Sequence, residues 1–316
     1  MTDSEPLQRP NSDADKTTTA GPSSDRAAPA TRRIAILGTG KMGSAIAARL
    51  AQARFEVVLW NRTRPKAEAL GRGTVVDTPA AAAWEADLVI SSLTGPEAVR
   101  AAYLGPDGGL VAGAGKLFVE MSTAGTDLVS DLATNVAAAG GRLVDAPILG
   151  APPVVKAGEA AILVGGAAED VAAARPVLNE LGTVRHVGPL GSAARLKLVA
   201  NSMLADVVLS AAELQVAGER AGLDPDDVFW VLKRQAPALE ARRPGYLEGR
   251  HTPLFALRDL RKDLDFALTL FATSGAATPL TRSSSEFVAA AAGATPDLDI
   301  SAVVQPYRDA AQAPSS

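Results

Sequence analysis

The stretch Arg33-Ile-Ala-Ile-Leu-Gly38-Thr-Gly40-Lys-Met-Gly43-Ser-Ala-Ile-Ala decides how this chain folds. A short apolar run turns into a glycine-rich bend, and the residues after the bend are typical of a helix. Gly38 permits a tight turn, Gly40 lets the backbone approach a pyrophosphate closely, and Gly43 lets the helix pack against the strand. The N-terminus of that helix then points at the anion. The stretch is therefore a dinucleotide-binding fingerprint.

The residues around the fingerprint supply the context that it needs. Ile34–Leu37 is typical of a buried parallel strand and Ser44–Ala53 of a helix. The next predicted strand ends about 20 residues beyond the glycines, where this motif places the residue that reads the ribose. Asn61-Arg62-Thr63 stands there instead of an acidic residue, and a guanidinium at this point favours NADP(H) over NAD(H). The alternative is that Arg62 is an ordinary solvated residue at the start of a helix.

The composition limits the classes of protein to which the chain can belong. Its 316 residues, 47% of them hydrophobic, suffice for two domains with a sizeable core. The formal net charge of -4 gives no electrostatic footprint for nucleic acid, and no apolar run approaches the length of a membrane span. The sequence therefore predicts neither a nucleic-acid partner nor a membrane partner.

Cysteine and histidine usage limits the chemistry further. The chain has no cysteine, which excludes disulfides, thiolate nucleophiles and cysteine metal sites. Its two histidines, His186 and His251, are far apart in the sequence and in no metal-ligand spacing. We therefore expect neither a metal site nor a histidine-based triad, and the lack of cysteine fits a cytoplasmic location.

Beyond the fingerprint, runs typical of strands alternate with alanine-rich helical stretches. The predicted strands are Phe55–Trp60, Asp87–Leu93, Leu117–Met121, Arg142–Asp145, Ala160–Val164 and Val184–Val187. Such alternation is typical of an α/β fold with a Rossmann-type, doubly wound parallel sheet. We expect a disordered tail over residues 1–31, which are rich in Ser, Thr, Asp, Pro and Ala, and an NADP-binding Rossmann domain over residues 32–194.

The character of the sequence changes near Gly191. The stretch Leu196–Gly218 has no proline or internal glycine, and its apolar residues follow a helical period. It predicts one long interdomain helix, leading into an all-α C-terminal domain over residues 195–316 that binds substrate and dimerises. A helix that is apolar over much of its circumference needs partners on several sides, so we expect a homodimer or a higher homo-oligomer.

Lys197 and Asn201 are the side chains best suited to carry chemistry. They are four residues apart, so they lie on one face of the long helix and project together. Apolar neighbours at Leu196, Leu198 and Val199 would desolvate the lysine and lower its pKa toward a value useful for proton transfer. Such a lysine suits a general acid. The alternative is a solvated lysine whose stem covers apolar surface.

Four motifs in a fixed order give the chain a specific resemblance. They are Gly38-Thr-Gly40-Lys-Met-Gly43, Asp145-Ala-Pro147 with Gly150 and Ala157-Gly158, Gly191 through Lys197 and Asn201, and Lys262-Asp263-Leu264. With these motifs the chain resembles the β-hydroxyacid dehydrogenase family over residues 33–300. That family includes 3-hydroxyisobutyrate dehydrogenases and glyoxylate or succinic semialdehyde reductases, and it is related to the imine reductases.

The resemblance implies roles for individual residues. Lys197 would be the general acid that protonates the carbonyl oxygen as hydride arrives, and Asn201 would orient the substrate. Lys262 would approach the cofactor from the helical domain, and the alternative for it is a solvated, charged helix face. Ser122 and Thr123, at the end of a predicted strand, would line the substrate and nicotinamide region, and the alternative for them is helix capping.

Two sets of site residues follow from the fingerprint and the resemblance. The predicted substrate-binding residues are Ser122, Leu149, Gly150 and Ala151. The predicted cofactor-binding residues are Gly38, Gly40, Lys41, Met42, Gly43, Asn61, Arg62, Thr63, Leu93, Thr123 and Lys262.

One segment departs from the family pattern. After Asp145-Ala-Pro147 the family often has Ser-Gly-Gly, which helps to bind a substrate carboxylate, whereas this chain has Leu149-Gly150-Ala151. An apolar side chain replaces a hydroxyl donor, so a less polar or bulkier carbonyl compound becomes a plausible substrate. The alternative is that Leu149 simply packs under the loop.

Together these residues predict an NADPH-dependent oxidoreductase that interconverts a small aldehyde or keto acid and its hydroxy product by hydride transfer. One alternative is an imine reductase or reductive aminase. The resemblance disfavours it, because those enzymes commonly have aspartate or tyrosine where this chain has Lys197. The other alternative is a non-catalytic NADPH-binding protein, which the pairing of Lys197 with Asn201 disfavours.

Overall fold

Nine strands form one sheet in the computed structural model, which describes residues 33–312. The tail predicted over residues 1–31 lies outside the described residues. The strands are β1 Arg33–Leu37, β2 Glu56–Trp60, β3 Thr74–Val75, β4 Leu88–Ser91, β5 Leu117–Glu120, β6 Arg142–Asp145, β7 Ile148–Leu149, β8 Ala160–Gly165 and β9 Gly182–Gly188.

The central strands are buried on both faces, which explains why they read as continuous apolar runs. In β1, Ile34 and Ile36 join one apolar cluster, while Ala35 and Leu37 join another on the opposite face. All four residues are fully buried. The sheet therefore lies between two layers of helices, as the sequence predicts.

The strand order reverses next to the glycine-rich turn. The parallel part of the sheet runs β3-β2-β1-β4-β5-β6, so the chain proceeds in one direction from β1 to β3 and in the other from β4 to β6. Ligands of such sheets bind outside the carboxyl ends of the strands at this reversal. Here the crevice opens between Leu37 and Ser91, which are register partners at the ends of β1 and β4.

The sheet is parallel only as far as β6. β8 runs antiparallel to β6 and to β7, pairing Gly165 with Asp145 and Ile162 with Ile148, and β9 runs parallel to β8. The Rossmann-type, doubly wound fold is confirmed, but the prediction of an all-parallel sheet was wrong at this edge. The two-residue strand β7 is too short to produce a periodic signal in the sequence.

Thirteen helices accompany the strands within residues 33–312. They are α1 Lys41–Gln52, α2 Arg64–Glu68, α3 Pro79–Trp84, α4 Pro96–Leu104, α5 Thr126–Ala138, α6 Pro152–Ala157, α7 Ala168–Leu178, α8 Ser192–Arg220, α9 Pro225–Gln235, α10 Arg243–Glu248, α11 Leu257–Thr273, α12 Pro279–Ala294 and α13 Val304–Gln312. Three short 3-10 turns occur at Gly109–Ala112, Pro237–Arg242 and Ile300–Val303.

The long helix predicted near Gly191 is confirmed as α8. It contacts β8 and continues through the helical region, where α9, α11, α12 and α13 pack around it. Val208 and Ala212 of α8 share an apolar core with Leu264 of α11 and Val288 of α12.

The length of α8 corrects one statement drawn from the sequence. Its 29 residues are long and apolar enough to cross a membrane by length and composition, whereas we expected no run of that length. Half of its most apolar window is buried inside the fold.

Candidate active site

Packing imposes the tight turn after β1. Gly38 has a φ of +101°, and a Cβ at this position would collide with the carbonyl oxygen of Ser92 and the side chain of Leu93. A Cβ on Gly43 would collide with the carbonyl oxygen of Gly38, so α1 packs closely on the turn. The fold itself therefore requires two of the three fingerprint glycines.

Gly40 differs from the other two glycines, because a Cβ there would meet no protein atom within 4 Å. Gly40 is the N-cap residue of α1, no side chain caps this helix end, and the first turn contains no acidic residue. The first N–H groups of α1 are thus available to an anion, which the helix dipole also stabilises. These residues fit the pyrophosphate of a dinucleotide.

Lys41 and Met42 follow directly and have different surroundings. The Nζ of Lys41 donates a 2.8 Å hydrogen bond to the carbonyl oxygen of Pro253, in the segment that leads into α11. Met42 is partly buried against the core of the sheet. The start of α1 is therefore connected both to the sheet and to the helical region.

The residues after β2 leave one guanidinium without a partner. Asn61 accepts a 3.1 Å hydrogen bond from the Thr39 N–H and donates one to the carbonyl oxygen of Thr63, which holds this loop beside the glycine-rich turn. Arg62 is exposed and forms no hydrogen bond or ion pair with the residues that the structure describes. Arg64, in contrast, is paired with Glu68 and with another carboxylate.

Asp145, the last residue of β6, sets the position of α8. Its carboxylate accepts 2.7 Å hydrogen bonds from the N–H groups of Gly191 and Ala194, at the start of that helix. Asp145 is 1% exposed, and burial raises its pKa although the two N–H donors oppose the shift. This bond fixes where the first turns of α8, and therefore Lys197, lie relative to the sheet.

Lys197 points toward the segment after β6. Its Nζ donates a 2.7 Å hydrogen bond to the carbonyl oxygen of Ile148 in β7. The pKa of Lys197 is lowered to about 8, mainly by burial; the carboxylate of Asp263 opposes this shift, and the nearby ammonium of Lys262 adds to it. The predicted desolvation of this lysine is therefore present in the structure.

The cause of that desolvation differs from the one predicted. Of the three apolar neighbours named in the prediction, Leu198 is 1% exposed, whereas Leu196 and Val199 are 40% and 48% exposed, because residues adjacent in a helix point in different directions. The surroundings of Lys197 come instead from β7 and α11, which the local sequence does not show.

Asp263 is a site residue that the sequence analysis missed. Its buried carboxylate accepts a 2.5 Å hydrogen bond from Nδ2 of Asn201 and a 2.6 Å bond from Nζ of Lys262. Burial raises the pKa of Asp263, and the two lysines oppose that shift. A signal was available, because this acidic residue interrupts the apolar stripe that α11 presents to the core, between Leu260 and Leu264.

Lys262 joins α11 to the carboxyl ends of the central strands. Besides binding Asp263, its Nζ donates a 2.5 Å hydrogen bond to the carbonyl oxygen of Thr123, just after β5. Ser122 accepts a 2.9 Å hydrogen bond from the N–H of Leu93, in the loop after β4. Neither Ser122 nor Thr123 caps α5, whose N-cap residue is Gly125, so the capping alternative is wrong.

The segment that departs from the family pattern lies beside Lys197. Leu149 is the residue after Ile148, whose carbonyl oxygen binds the lysine, and its side chain is only partly buried. Gly150 is exposed, and Ala151 is the N-cap residue of α6. The fold therefore brings the predicted substrate segment to the predicted general acid, while the roles of these residues stay predictions.

Two family descriptions match consecutive parts of the chain. Residues 33–189 match the NAD-binding domain of 6-phosphogluconate dehydrogenase, and residues 191–307 match the NAD-binding region of NADP-dependent 3-hydroxyisobutyrate dehydrogenase. The fold and the site thus define an NAD(P)-binding oxidoreductase with a helical C-terminal region.

Individual proteins narrow this class. A 3-hydroxyisobutyrate dehydrogenase of Pseudomonas aeruginosa is 34% identical over 269 residues, which cover 78% of this chain and 88% of that protein. The solved structure of a Mycobacterium tuberculosis 3-hydroxyisobutyrate dehydrogenase with L-serine has 28% identity and a TM-score of 0.78, over 88% of this chain and 99% of the other. The chain belongs to the 3-hydroxyisobutyrate dehydrogenase family of NAD(P)-dependent dehydrogenases.

Two further proteins resemble the chain. The mouse cytokine-like nuclear factor N-PAC is 30% identical over 288 residues. The match covers 88% of this chain but only 52% of N-PAC, so the chain spans about half the length of that relative. An imine reductase from Pseudomonas sp. shares the fold, with a TM-score of 0.61 and 21% identity over 88% of this chain and 99% of the other. The expected relation to imine reductases is thus present at the level of fold.

Proposed function

We propose that this chain reduces a small aldehyde or keto compound to its alcohol with NADPH, and catalyses the reverse oxidation, with Lys197 as the general acid and base. The observation that carries the proposal is the Lys197 ammonium, which is desolvated, bound to the carbonyl oxygen of Ile148 in β7 and close to the charges of Lys262 and Asp263 in α11. A pKa of about 8 keeps this group protonated at neutral pH, yet lets it release its proton readily to an alkoxide.

The neighbouring side chains support this role. When bound, the nicotinamide cofactor would supply the hydride. Lys197 would give its proton to the carbonyl oxygen as negative charge develops there. Nδ2 of Asn201 is engaged by Asp263, so its amide oxygen is left to accept a hydrogen bond from a hydroxyl group, such as that of the alcohol product. Lys262 would keep Thr123 and α11 together beside the nicotinamide.

The cofactor preference is a separate part of the proposal. Arg62 is exposed, lacks a partner within the described part of the chain, and follows Asn61, which is bonded to the glycine-rich turn. A 2′-phosphate on the adenosine ribose would give this guanidinium a bidentate partner. We therefore infer that NADP(H) is preferred over NAD(H).

Leu149 bears on the substrate class. It offers no hydrogen-bond donor beside Lys197, so a carboxylate bound there would lack the hydroxyl group that many relatives supply. The site therefore suits a less polar or bulkier carbonyl compound, and this same feature favours cyclic imines as a second candidate class.

The outer face of α8 supports a homodimer or higher homo-oligomer. Leu196, Val199, Met203 and Leu214 are 40% to 63% exposed on this helix, more apolar surface than a free helix face usually carries. Light scattering tests this assembly, since a mass near the 32.3 kDa of one chain contradicts it.

The function is tested by following NADPH oxidation with glyoxylate, succinic semialdehyde, methylmalonate semialdehyde, apolar aldehydes and cyclic imines. Each compound is run with wild type, with Lys197→Ala and with Lys66→Ala, a control that removes an exposed lysine on α2. Turnover of carbonyl compounds that depends on Lys197 alone supports the proposal. Turnover confined to imines and indifferent to Lys197 favours an imine reductase. NADPH binding with no turnover of any compound contradicts both enzymatic readings.

A further inference from the structure

Glu120 is a buried acid that the proposed chemistry does not use. It is the last residue of β5 and is only 2% exposed. Within residues 33–312, no lysine, arginine or histidine forms an ion pair with it. A carboxyl group buried without a cationic partner is costly, so its hydrogen bonds decide whether it can stay ionised.

The hydrogen bonds of Glu120 join two loops of the candidate site. Oε1 accepts a 2.6 Å bond from the N–H of Ser122, and Oε2 accepts a 2.5 Å bond from the hydroxyl of Ser91. The hydroxyl of Ser122 in turn accepts a hydrogen bond from the N–H of Leu93. One carboxylate thus ties the loop after β5 to the loop after β4, and these loops contain the residues predicted to line the nicotinamide region.

The titratable neighbours of Glu120 come from two other elements. The hydroxyl of Tyr103, on α4, lies 2.7 Å from the Ser91 hydroxyl. Asp145 is the register partner of Glu120 in β6, and its own carboxylate is engaged by the start of α8. Ser91, Glu120 and Asp145 therefore form one row across the ends of three strands.

The direction of the hydrogen bonds depends on the proton of Glu120. When the carboxylate is ionised, Tyr103 can donate to Ser91, Ser91 to Oε2 and the Ser122 N–H to Oε1, so every donor has an acceptor. Protonation turns one acceptor oxygen into a donor, and the two hydroxyl groups must reorient. Burial raises the pKa of Glu120 to about 7, while the hydrogen bonds from Ser122, Ser91 and Tyr103 oppose the shift.

We propose that Glu120 is a positioning residue for hydride transfer, whose ionised carboxylate holds the Ser122 and Leu93 loops in the geometry that the reaction needs. This inference rests on the proposed reductase function. Because Glu120 acts through Ser122 and touches no reacting atom, protonating it should lower kcat more than it weakens NADPH binding. Misplacing reacting groups by about 1 Å costs up to about 10²-fold in rate.

The kinetic test compares the pH profiles of kcat for reduction by NADPH of the carbonyl compound that wild type turns over fastest in the substrate panel. Wild type should lose rate below about pH 7, whereas Glu120→Gln should lack this acid limb. Tyr103→Phe should move the limb to higher pH, because Ser91 loses a donor that favours the ionised carboxylate. Asp170→Asn, which removes another buried acid of the sheet region, should leave the limb in place. An unchanged limb in both Glu120→Gln and Tyr103→Phe overturns the proposal.

A second measurement needs neither cofactor nor turnover. The amide resonance of Ser122 is followed by NMR as the pH of the cofactor-free protein is raised. A titration centred near pH 7 in wild type that disappears in Glu120→Gln supports the positioning contact. A pH-independent Ser122 resonance overturns it. If wild type reduces no carbonyl compound, the proposed function fails while this titration still decides the role of Glu120 in holding the loop.

Discussion

Asn201 donates a 2.5 Å hydrogen bond to the buried carboxylate of Asp263, and this bond joins α8 to α11. The same carboxylate binds Lys262, which reaches the carbonyl oxygen of Thr123 after β5. Asp263 also raises the pKa of Lys197 across the site. Four polar residues from two helices therefore act as one electrostatic unit, and substitutions within it should be non-additive.

Lys197→Ala should lower kcat for carbonyl reduction by about 10²- to 10⁴-fold, the usual contribution of a positioned proton donor. NADPH affinity should change little, because Lys197 binds Ile148 rather than the glycine-rich turn. Stopped-flow kinetics and NADPH fluorescence titration measure the two quantities separately. Partial rescue by added primary amines would strengthen the assignment, whereas wild-type turnover in Lys197→Ala removes this lysine from the mechanism.

The pH dependence should identify Lys197 through its neighbours. Reduction requires the protonated amine, so kcat should fall above about pH 8, where Lys197 loses its proton. Asp263→Asn removes a charge that raises this pKa and should move the alkaline limb to lower pH. Lys262→Met removes a charge that lowers it and should move the limb to higher pH.

The two substitutions should shift the alkaline limb of the pH profile in opposite directions, which makes the test strict. The measurement is the pH at which kcat falls on the alkaline side, in wild type and in the two variants. Structural damage alone would lower kcat in both variants without moving the two limbs apart. Limbs that shift in the same direction, or not at all, contradict the assignment of the alkaline pKa to Lys197.

Arg62→Ala should weaken NADPH binding by about 10- to 10²-fold and leave NADH binding nearly unchanged, as expected for the loss of charge-assisted hydrogen bonds to a phosphate. Arg64→Ala is the matched control, because that guanidinium is engaged by Glu68 and lies two residues away. Equal affinity of wild type for NADPH and NADH would contradict the proposed preference, and so would equal losses in the two variants.

The sequence predicts the parts of this molecule that depend on local chemistry. Gly43 is required by its contact with Gly38 within one strand-turn-helix unit, and Gly38 is required by the positive φ of the same turn, so their pattern is visible in a short window. The spacing of Lys197 and Asn201 is likewise a property of one helix. These features follow from runs of adjacent residues.

Features that depend on tertiary contacts are not visible in this way. Asp263 meets Asn201 only because α11 packs on α8, and the two residues are 62 positions apart in the chain. The antiparallel pairing of β8 with β6 and β7 depends on a reversal of the chain that no local period signals. Glu120 resembles any other strand-end acid until its buried surroundings are known.

Leu149→Ser should improve the use of substrates that carry a carboxylate. It restores a hydroxyl donor in the segment beside Lys197, where the wild-type side chain is apolar. One added hydrogen bond to a charged group corresponds to roughly a tenfold gain or more in kcat/KM for glyoxylate or succinic semialdehyde, relative to an apolar aldehyde. Leu149→Ala is the control for lost volume without a hydroxyl. If the two variants gain equally, the preference is set by space rather than by hydrogen bonding.

Asp145→Ala should destabilise the fold and disturb the site together, because it leaves the N–H groups of Gly191 and Ala194 at the start of α8 without their acceptors. Each unsatisfied buried donor costs about 1 to 3 kcal/mol. Asp145→Asn keeps one acceptor oxygen and should lose less. Denaturant unfolding measures the free energy of unfolding of each variant. Asp170→Asn should lose less stability still, because its partner Arg142 is 48% exposed to water. A loss for Asp145→Ala no larger than for Asp170→Asn would show that α8 is held in place by its apolar packing alone.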